Sequence, residues 1–204
     1  MIIKLETKRL ILRKPKLSDW KDIVEGVGDL EVSRTMGSIS YPYTKKDAEG
    51  WIKYTSKKWS KKEKDDCTFA IELKSEKKLI GGIGLHKIDL FGGTAETGSW
   101  IARKYWKKGY ITEAKIALNE FAFNKLKLRK LWSPVIISNL ASNVTQKKMG
   151  YKLEGILKKD MKCKATGKIH DSNIYGLFKE DWKKNLPKLK KHLEEKIKKL
   201  ENKK

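Results

Sequence analysis

Glutamine occurs once in this 204-residue chain, at Gln146, and cysteine twice, at Cys67 and Cys163. Two distant cysteines make neither a metal-type cluster nor a disulfide framework, so a reducing interior and a cytoplasmic location are expected. The three histidines, His86, His170 and His192, lack metal-ligand spacing, so no metal site is expected. No run of about 18 apolar residues is present, which argues against a membrane-spanning helix and a membrane partner. Residues 1–13 alternate apolar and charged residues without an apolar h-region, so no secretory leader is expected. Acidic residues are scarce beside basic ones: 25 Asp+Glu against 48 Lys+Arg leaves a net charge of +23. Such a surface attracts nucleic acid, ribosomes, anionic cofactors or acidic membrane. A lysine-rich proteome would give the same excess with no partner at all.

What is present suffices for a core. Hydrophobic residues make up 39% of the chain and aromatic residues 9%, enough to exclude wholesale disorder and to fill one domain with a short appendage. Residues 5–13 (LETKRLILR) alternate as a half-buried strand does. Ser18 is placed to cap a short helix with Trp20, Ile23, Val24 and Val27 on one face. Thr44 opens a second helix, with Asp47 completing a capping box. The loop between them holds Tyr41, Pro42 and Tyr43. Residues 68–73, 79–88 and 95–102 read as an antiparallel meander. A basic, glycine-containing loop follows over 103–111, then a helix over 112–126 with Ile116, Ala117, Phe121 and Ala122 inward. Residues 131–137 read as a strand. Ser138 or Asn139 caps a helix ending at Gly150. The last two strands, 151–157 and 170–178, are joined by a hairpin around Gly167.

Residues 183–204 differ in kind. They hold ten Lys and three Glu, and Leu186, Leu189, Leu193, Ile197 and Leu200 recur at helical steps. This is a basic amphipathic helix with Pro187 near its start, appended to a domain spanning 1–182.

The segment from Trp100 to Ala114, WIARKYWKKGYITEA, runs from a strand through a basic loop into a helix that begins near Gly109. Unpaired N–H groups at a helix N-terminus, a glycine that admits close approach, and the charges of Lys107 and Lys108 together suit a diphosphate. Here the sequence resembles the GNAT acetyltransferase superfamily, and within it the RimJ/RimL-type protein N-acetyltransferases. Tyr105-Trp106…Gly109-Tyr110-Ile111-Thr112-Glu113-Ala114 is similar to the YW…GYATEA form of the family loop. Lys107 stands where the subfamily often has Gly, and Ile111 where Gly or Ala is usual. KKLIGGIGLHKID resembles a central strand pair of the family. Asn139-Leu140-Ala141-Ser142-Asn143 followed by Lys148-Met149-Gly150-Tyr151 resembles its N-x-x-S…K-x-G-F/Y element. Leu153-Glu154-Gly155 and Gly167 to Tyr175 match its closing strands.

The resemblance covers residues 5–182 and implies an α+β fold, a mixed and mostly antiparallel sheet flanked by helices. It implies acetyl-CoA as co-substrate, bound where two central strands diverge. Ile101, Ala102 and Arg103 are then expected to offer backbone partners to the pantetheine arm. Lys107, Lys108, Gly109, Tyr110, Ile111 and Thr112 are expected to cradle the pyrophosphate, and Asn139 and Asn143 to meet the pantetheine amides. Glu96 is the candidate base for the attacking amine, and Asp160 a second one. A surface pairing with a lysine is the other reading of Glu96. The resemblance makes Ser142 the candidate acid for the departing thiolate, since it stands at the serine of the RimL-like element; many other superfamily members use a tyrosine instead, where this chain has Gln146. The other reading of Ser142 is a first-turn helix residue bonded to its own backbone. Tyr41 and Tyr43 are expected to border the acceptor.

Three functions remain open at this point. One is acetylation of a protein N-terminal amine, ribosomal proteins included. Another is acetylation of a small amine such as a polyamine or aminoglycoside. The third is a catalytically weak RNA- or ribosome-binding protein on the same fold, held through the basic tail. Monomer and homodimer are both compatible with the sequence.

Overall fold

The computed structural model describes residues 4–60 and 65–202. Residues 1–3 and 203–204, which fall within the expected leader-free N-terminus and the end of the basic tail, lie outside the described residues. Eight strands among the described residues form one sheet in the order β1-β2-β3-β4-β5-β6-β8-β7. They are β1 (Leu5–Glu6), β2 (Leu10–Arg13), β3 (Asp66–Leu73), β4 (Lys78–Asp89), β5 (Thr94–Ile101), β6 (Lys130–Ile136), β7 (Lys152–Lys162) and β8 (Ile169–Phe178). All neighbouring pairs are antiparallel except β5 with β6. The helices are α1 (Trp20–Val27), α2 (Leu30–Ser33), α3 (Lys45–Ser60), α4 (Tyr110–Glu120), α5 (Leu140–Met149) and α6 (Lys179–Glu201). The expected mixed, mostly antiparallel α+β architecture is the one observed.

The sheet has a core on each face. Ile23 and Val27 of α1, Val32 of α2, and Ala48 and Ile52 of α3 pack with Ala70 and Leu79. The main core joins Leu10, Leu12, Phe69, Ile71, Ile83 and Leu85 to Ala114, Leu118 and Phe121 near α4 and to Trp182 and Leu189 of α6. β3 is therefore apolar on both faces, which is why CTFAIEL reads as a nearly unbroken hydrophobic run.

Several boundaries depart from the sequence reading. The opening run is two strands, because Thr7 hydrogen-bonds Leu10 through both its backbone N–H and its hydroxyl and turns the chain. Asp19, not Ser18, is the N-cap residue of α1. Asp19 is held there by both Nη atoms of Arg13, each 2.8 Å from a carboxylate oxygen. The capping box at α3 is present: Thr44 N–H donates to Asp47 Oδ2 at 2.8 Å. α4 starts at Tyr110 with Gly109 as its N-cap, as expected of a helix beginning near Gly109 and two residues before the 112–126 span read from its apolar stripe. α6 starts at Lys179, ahead of the expected 183, and Trp182 in its first turn is buried. Pro187 accordingly lies inside the helix and not near its start.

Candidate active site

β5 and β6 pair only through Thr94↔Lys130, Ala95↔Leu131 and Glu96↔Trp132. Beyond Glu96 the two strands part, β5 staying with β4 and β6 with β8. Side chains replace the ladder at the vertex. Ser133 Oγ donates to the Thr97 carbonyl at 3.1 Å, and Thr97 Oγ1 to the Trp132 carbonyl at 3.3 Å. Gln146 of α5 donates to Ser133 Oγ at 2.7 Å and locks it. The wedge opens a cleft of about 710 Å³ lined by Glu96 to Ile101 on one wall and Ser133 to Ile136 on the other. The exposed strand backbone in such a split can take an extended amide-bearing ligand as an added strand.

At one end of the cleft stands the start of α4. Gly109 has φ +83°, and no side chain caps the helix. The N–H groups of its first turn therefore have no side-chain acceptor, while Gly109, Tyr110, Ile111 and Thr112 line the cleft. Lys107 also has a positive φ, 61°, and this backbone conformation is what a glycine would adopt without strain. Ile111 lines the cleft and also packs against the main core.

Cations surround this end, one of them Lys148 of the N-x-x-S…K-x-G-F/Y element and another, Lys196, that no sequence motif singled out. Lys148 and Lys196 line the cleft, and neither is in an ion pair among the described residues. The Lys196 ammonium is held below its ordinary pKa by burial first, then by the charges of Lys148 and Arg9. Arg9 Nη2 is buried without a hydrogen-bond partner and lies 3.5 Å from the position a Cβ on Gly109 would take. An orphaned guanidinium nitrogen, two unpaired ammonium groups and an uncapped helix start make a site that fits phosphate oxygens. Lys196 was legible only as one of many tail lysines; Leu193 and Lys196 reach Gly109 because α6 folds back over α4.

The structure leaves four of the expected cofactor contacts outside the cleft lining. Ala102 N–H donates to the Ile80 carbonyl and the Ala102 carbonyl accepts from Tyr105, so both backbone groups are already engaged. Arg103 is turned outward, 3.7 Å from Asp29. Lys108 presents its carbonyl to Arg9 and its ammonium to the Tyr105 ring. Asn143 is a buried hub: its Nδ2 donates to the Ile136, Ile137 and Asn139 carbonyls, and its Oδ1 accepts from Asn173 and the Tyr175 hydroxyl. Ile101 does line the cleft, although its carbonyl accepts from the Trp106 indole at 2.6 Å.

Glu96, Asn139 and Ser142 do meet in the cleft. Asn139 Oδ1 accepts the Ser142 N–H at 3.1 Å, which sets the first turn of α5 and leaves the Ser142 hydroxyl half-buried at the cleft wall. Lys87 Nζ lies 2.9 Å from Glu96 Oε2, an ion pair without hydrogen-bond geometry. Asp160 is exposed on β7 and absent from the lining. Tyr43 lines the cleft while Tyr41 is exposed, and burial first, then the Asp47 carboxylate, pushes the Tyr43 phenol up to about 12. Lys115, unnoticed in the sequence, is buried beneath the vertex, where burial pulls its ammonium down to about 8. Its Nζ donates to Gln146 Oε1 at 3.4 Å. Among the described residues no group of three or more His, Cys, Asp or Glu is placed to hold a metal ion. No helix among them is long and apolar enough to cross a membrane.

Comparison with known proteins agrees with this geometry. The N-acetyltransferase YoaA of Bacillus subtilis strain 168, called uncharacterized in its name, is 31% identical over 175 residues, which is 86% of this chain and 96% of YoaA. YdaF of the same strain, provisionally named a ribosomal N-acetyltransferase, is 33% identical over 104 residues, 51% of this chain and 56% of its own. The crystal structure of a GNAT-family acetyltransferase from Bacillus anthracis superposes with a TM-score of 0.74 at 25% identity, covering 87% of this chain and 99% of its own. The protein-family model for the acetyltransferase (GNAT) domain matches residues 9–152. The chain belongs to the GNAT acetyltransferase family and is an enzyme that transfers an acetyl group to nitrogen.

Proposed function

We propose that the acceptor is a protein N-terminal amine, in the manner of RimJ/RimL-type enzymes, with ribosomal proteins as the class of substrate. One observation carries this reading. Glu96 is the only carboxylate among the described residues that line the cleft. The same cleft is lined by Val27, Val32, Met36, Ile39, Tyr43, Trp51 and Met161, with Thr35, Ser38, Thr68 and His86 as uncharged or basic polar neighbours. One carboxylate in a wall that offers no second acid among the described residues matches one ammonium followed by a peptide. A polyamine or aminoglycoside carries several ammonium groups and needs several acids to replace their water. The provisional name of YdaF points the same way.

Acetyl-CoA supplies the thioester that the acceptor amine attacks. Lys107, Lys148, Lys196 and the first-turn N–H groups of α4 hold its phosphates, and the parted edge of β5 orients its amide arm. Asn139 fixes the start of α5, and the Ser142 hydroxyl is the proton donor for the departing thiolate. Glu96 faces the incoming ammonium. Holding both reactants in line removes much of the entropic barrier. The outward lysines of α6 are the surface for ribosomal RNA.

The test is incubation with acetyl-CoA and a panel of free N-terminal peptides beside spermidine, reading thiol release and product mass. Turnover of peptides modified at the α-amine is the expected result. Turnover of spermidine alone would overturn the assignment. The RNA surface predicts co-sedimentation with ribosomes that weakens steeply with salt.

A further inference from the structure

Three strands carry Asp66, His86 and Glu96 on one row across the sheet: Asp66 pairs with His86 in the β3–β4 register, and His86 with Glu96 in the β4–β5 register. The next row on that face is Thr68, Gly84 and Gly98. A Cβ on Gly84 would lie 3.1 Å from His86 Nε2, and one on Gly98 3.3 Å from it. The imidazole therefore overhangs a floor of bare backbone, and His86, Gly84, Gly98, Thr68 and Glu96 all line the cleft.

The ring is held from behind. His86 Nδ1 lies 2.6 Å from Asp66 Oδ2, and Asp66 Oδ1 accepts the Thr68 hydroxyl at 2.8 Å. The side chain of Asp66 is 12% exposed and that of His86 33%. An ionised carboxylate can only accept, so Nδ1 carries the hydrogen and Nε2 presents a free lone pair to the cleft. Glu96 is arranged otherwise. Its carboxylate already faces Lys87, which suits it to holding a cation in place more than to taking its proton.

We propose that His86 is a further catalytic residue of the acetyl transfer, taking the proton lost by the attacking amine, with Asp66 as its positioning residue. The inference rests on the acetyltransferase reading. The amine lone pair forms the new C–N bond, and the N–H bond electrons remain on nitrogen. The proton passes to Nε2, and the resulting imidazolium keeps its Nδ1–H on Asp66. His86 then releases the proton through its exposed edge to water. The thiolate leaves with the C–S electron pair and is protonated separately. The charged groups around this imidazole are Asp66 from β3, bonded to it, and Glu96 from β5, across the register, with Lys87 next in sequence and paired to Glu96, and Lys115 elsewhere in the cleft lining. Its signal in the sequence was slight. In LIGGIGLHKID the residues Gly82, Gly84 and His86 alternate with Ile83 and Leu85, which places the histidine on the face opposite the main core.

Two measurements test it. In the protein without ligands, 15N NMR of His86 should show the Nδ1–H tautomer, and Asp66→Asn should shift the tautomer balance. Predominance of the Nε2–H form in the unaltered protein would overturn the proposal. In the second, kcat/KM is followed against pH with acetyl-CoA and the fastest acceptor of the peptide and spermidine panel, beside calorimetric binding of CoA. General-base removal typically costs about 10²–10⁴-fold. His86→Gln should lose about that much in kcat, flatten the rising limb of the profile, and leave CoA affinity and acceptor KM within about twofold. Asp66→Asn should lower kcat with KM held. A His86→Gln enzyme that keeps its rate and its rising limb, while Glu96→Gln loses them, assigns the proton to Glu96 and sinks the inference alone. An unaltered protein that neither binds CoA nor releases thiol sinks the acetyltransferase reading, and the inference falls with it.

Discussion

Arg9 of the turn before β2 and Glu113 in the first turn of α4, 104 residues apart, are joined by a 2.6 Å bond from Nε to Oε2. The same Glu113 accepts the Arg9 backbone N–H and the Thr7 hydroxyl, and Arg9 Nη1 reaches the Lys108 carbonyl. One buried carboxylate thus ties the N-terminal hairpin to the loop that leads into α4 at one end of the cleft. Removing one partner of a buried pair typically costs about 3–5 kcal/mol, because the other charge stays behind. Glu113→Ala should lower the stability to chemical denaturation by about that much. It should also weaken CoA binding in calorimetry, since the loop loses its anchor.

Gly109 couples that loop to the C-terminal helix. A Cβ there would meet Leu193 Cδ1 and Lys196 Cδ, each at 3.4 Å, in a backbone with φ +83°. The left-handed conformation costs an ordinary residue about 1–2 kcal/mol. Gly109→Val should lower the melting temperature accordingly. It should reduce acetyl-CoA affinity more than tenfold, about 1.4 kcal/mol or more. Unchanged affinity would remove the loop from the cofactor site.

Lys196 gives the tail a role within the domain. Because it lines the cleft beside Lys148, Lys196→Glu should weaken CoA binding at low salt and flatten the salt dependence of that binding. Removal of residues 183–204 should cost both affinity and stability, since Leu189 and Ile197 are buried against the domain. Calorimetric titration at two ionic strengths reads the first effect, and thermal unfolding the second.

Ser142→Ala should slow kcat by about 10²-fold with CoA affinity retained, as expected for a hydroxyl that acts in the transition state. A fall in affinity at constant kcat would mark Ser142 as a binding residue.

Lys115 sets a pH dependence. Burial lowers its pKa from the ordinary 10.5 to about 8, so the unfolded chain binds more protons than the folded one between these values. Stability contributed by this site therefore rises as pH climbs from about 8 toward 10.5, and the buried charge is a cost below that window. Lys115→Met should stabilise the protein at pH 7, by up to about 3 kcal/mol if the whole gap is realised. The advantage should vanish by about pH 10.5. Denaturation curves of both proteins across this range check the sign.

The sequence alone determined those features that depend on neighbours along the chain. Alternation marked the meander, the Thr44–Asp47 pair marked the start of α3, and Gly150 and Gly167 marked turns, because each signal is written within a few residues. The order of local motifs from residue 100 to 114 and from 139 to 151 was enough to place the family resemblance. Tertiary structure decided what depends on register and packing. The Asp66–His86–Glu96 row exists only because three strands align with no slip across those positions. Asn143, expected from its motif to meet the cofactor, is placed by packing as the hub that joins α5 to β6 and β8. Lys196 looked like tail charge and reaches the cleft because the apolar stripe of α6 buries itself against α4. A side chain's type is local, but the partner it finds at 3 Å is set by elements a hundred residues away.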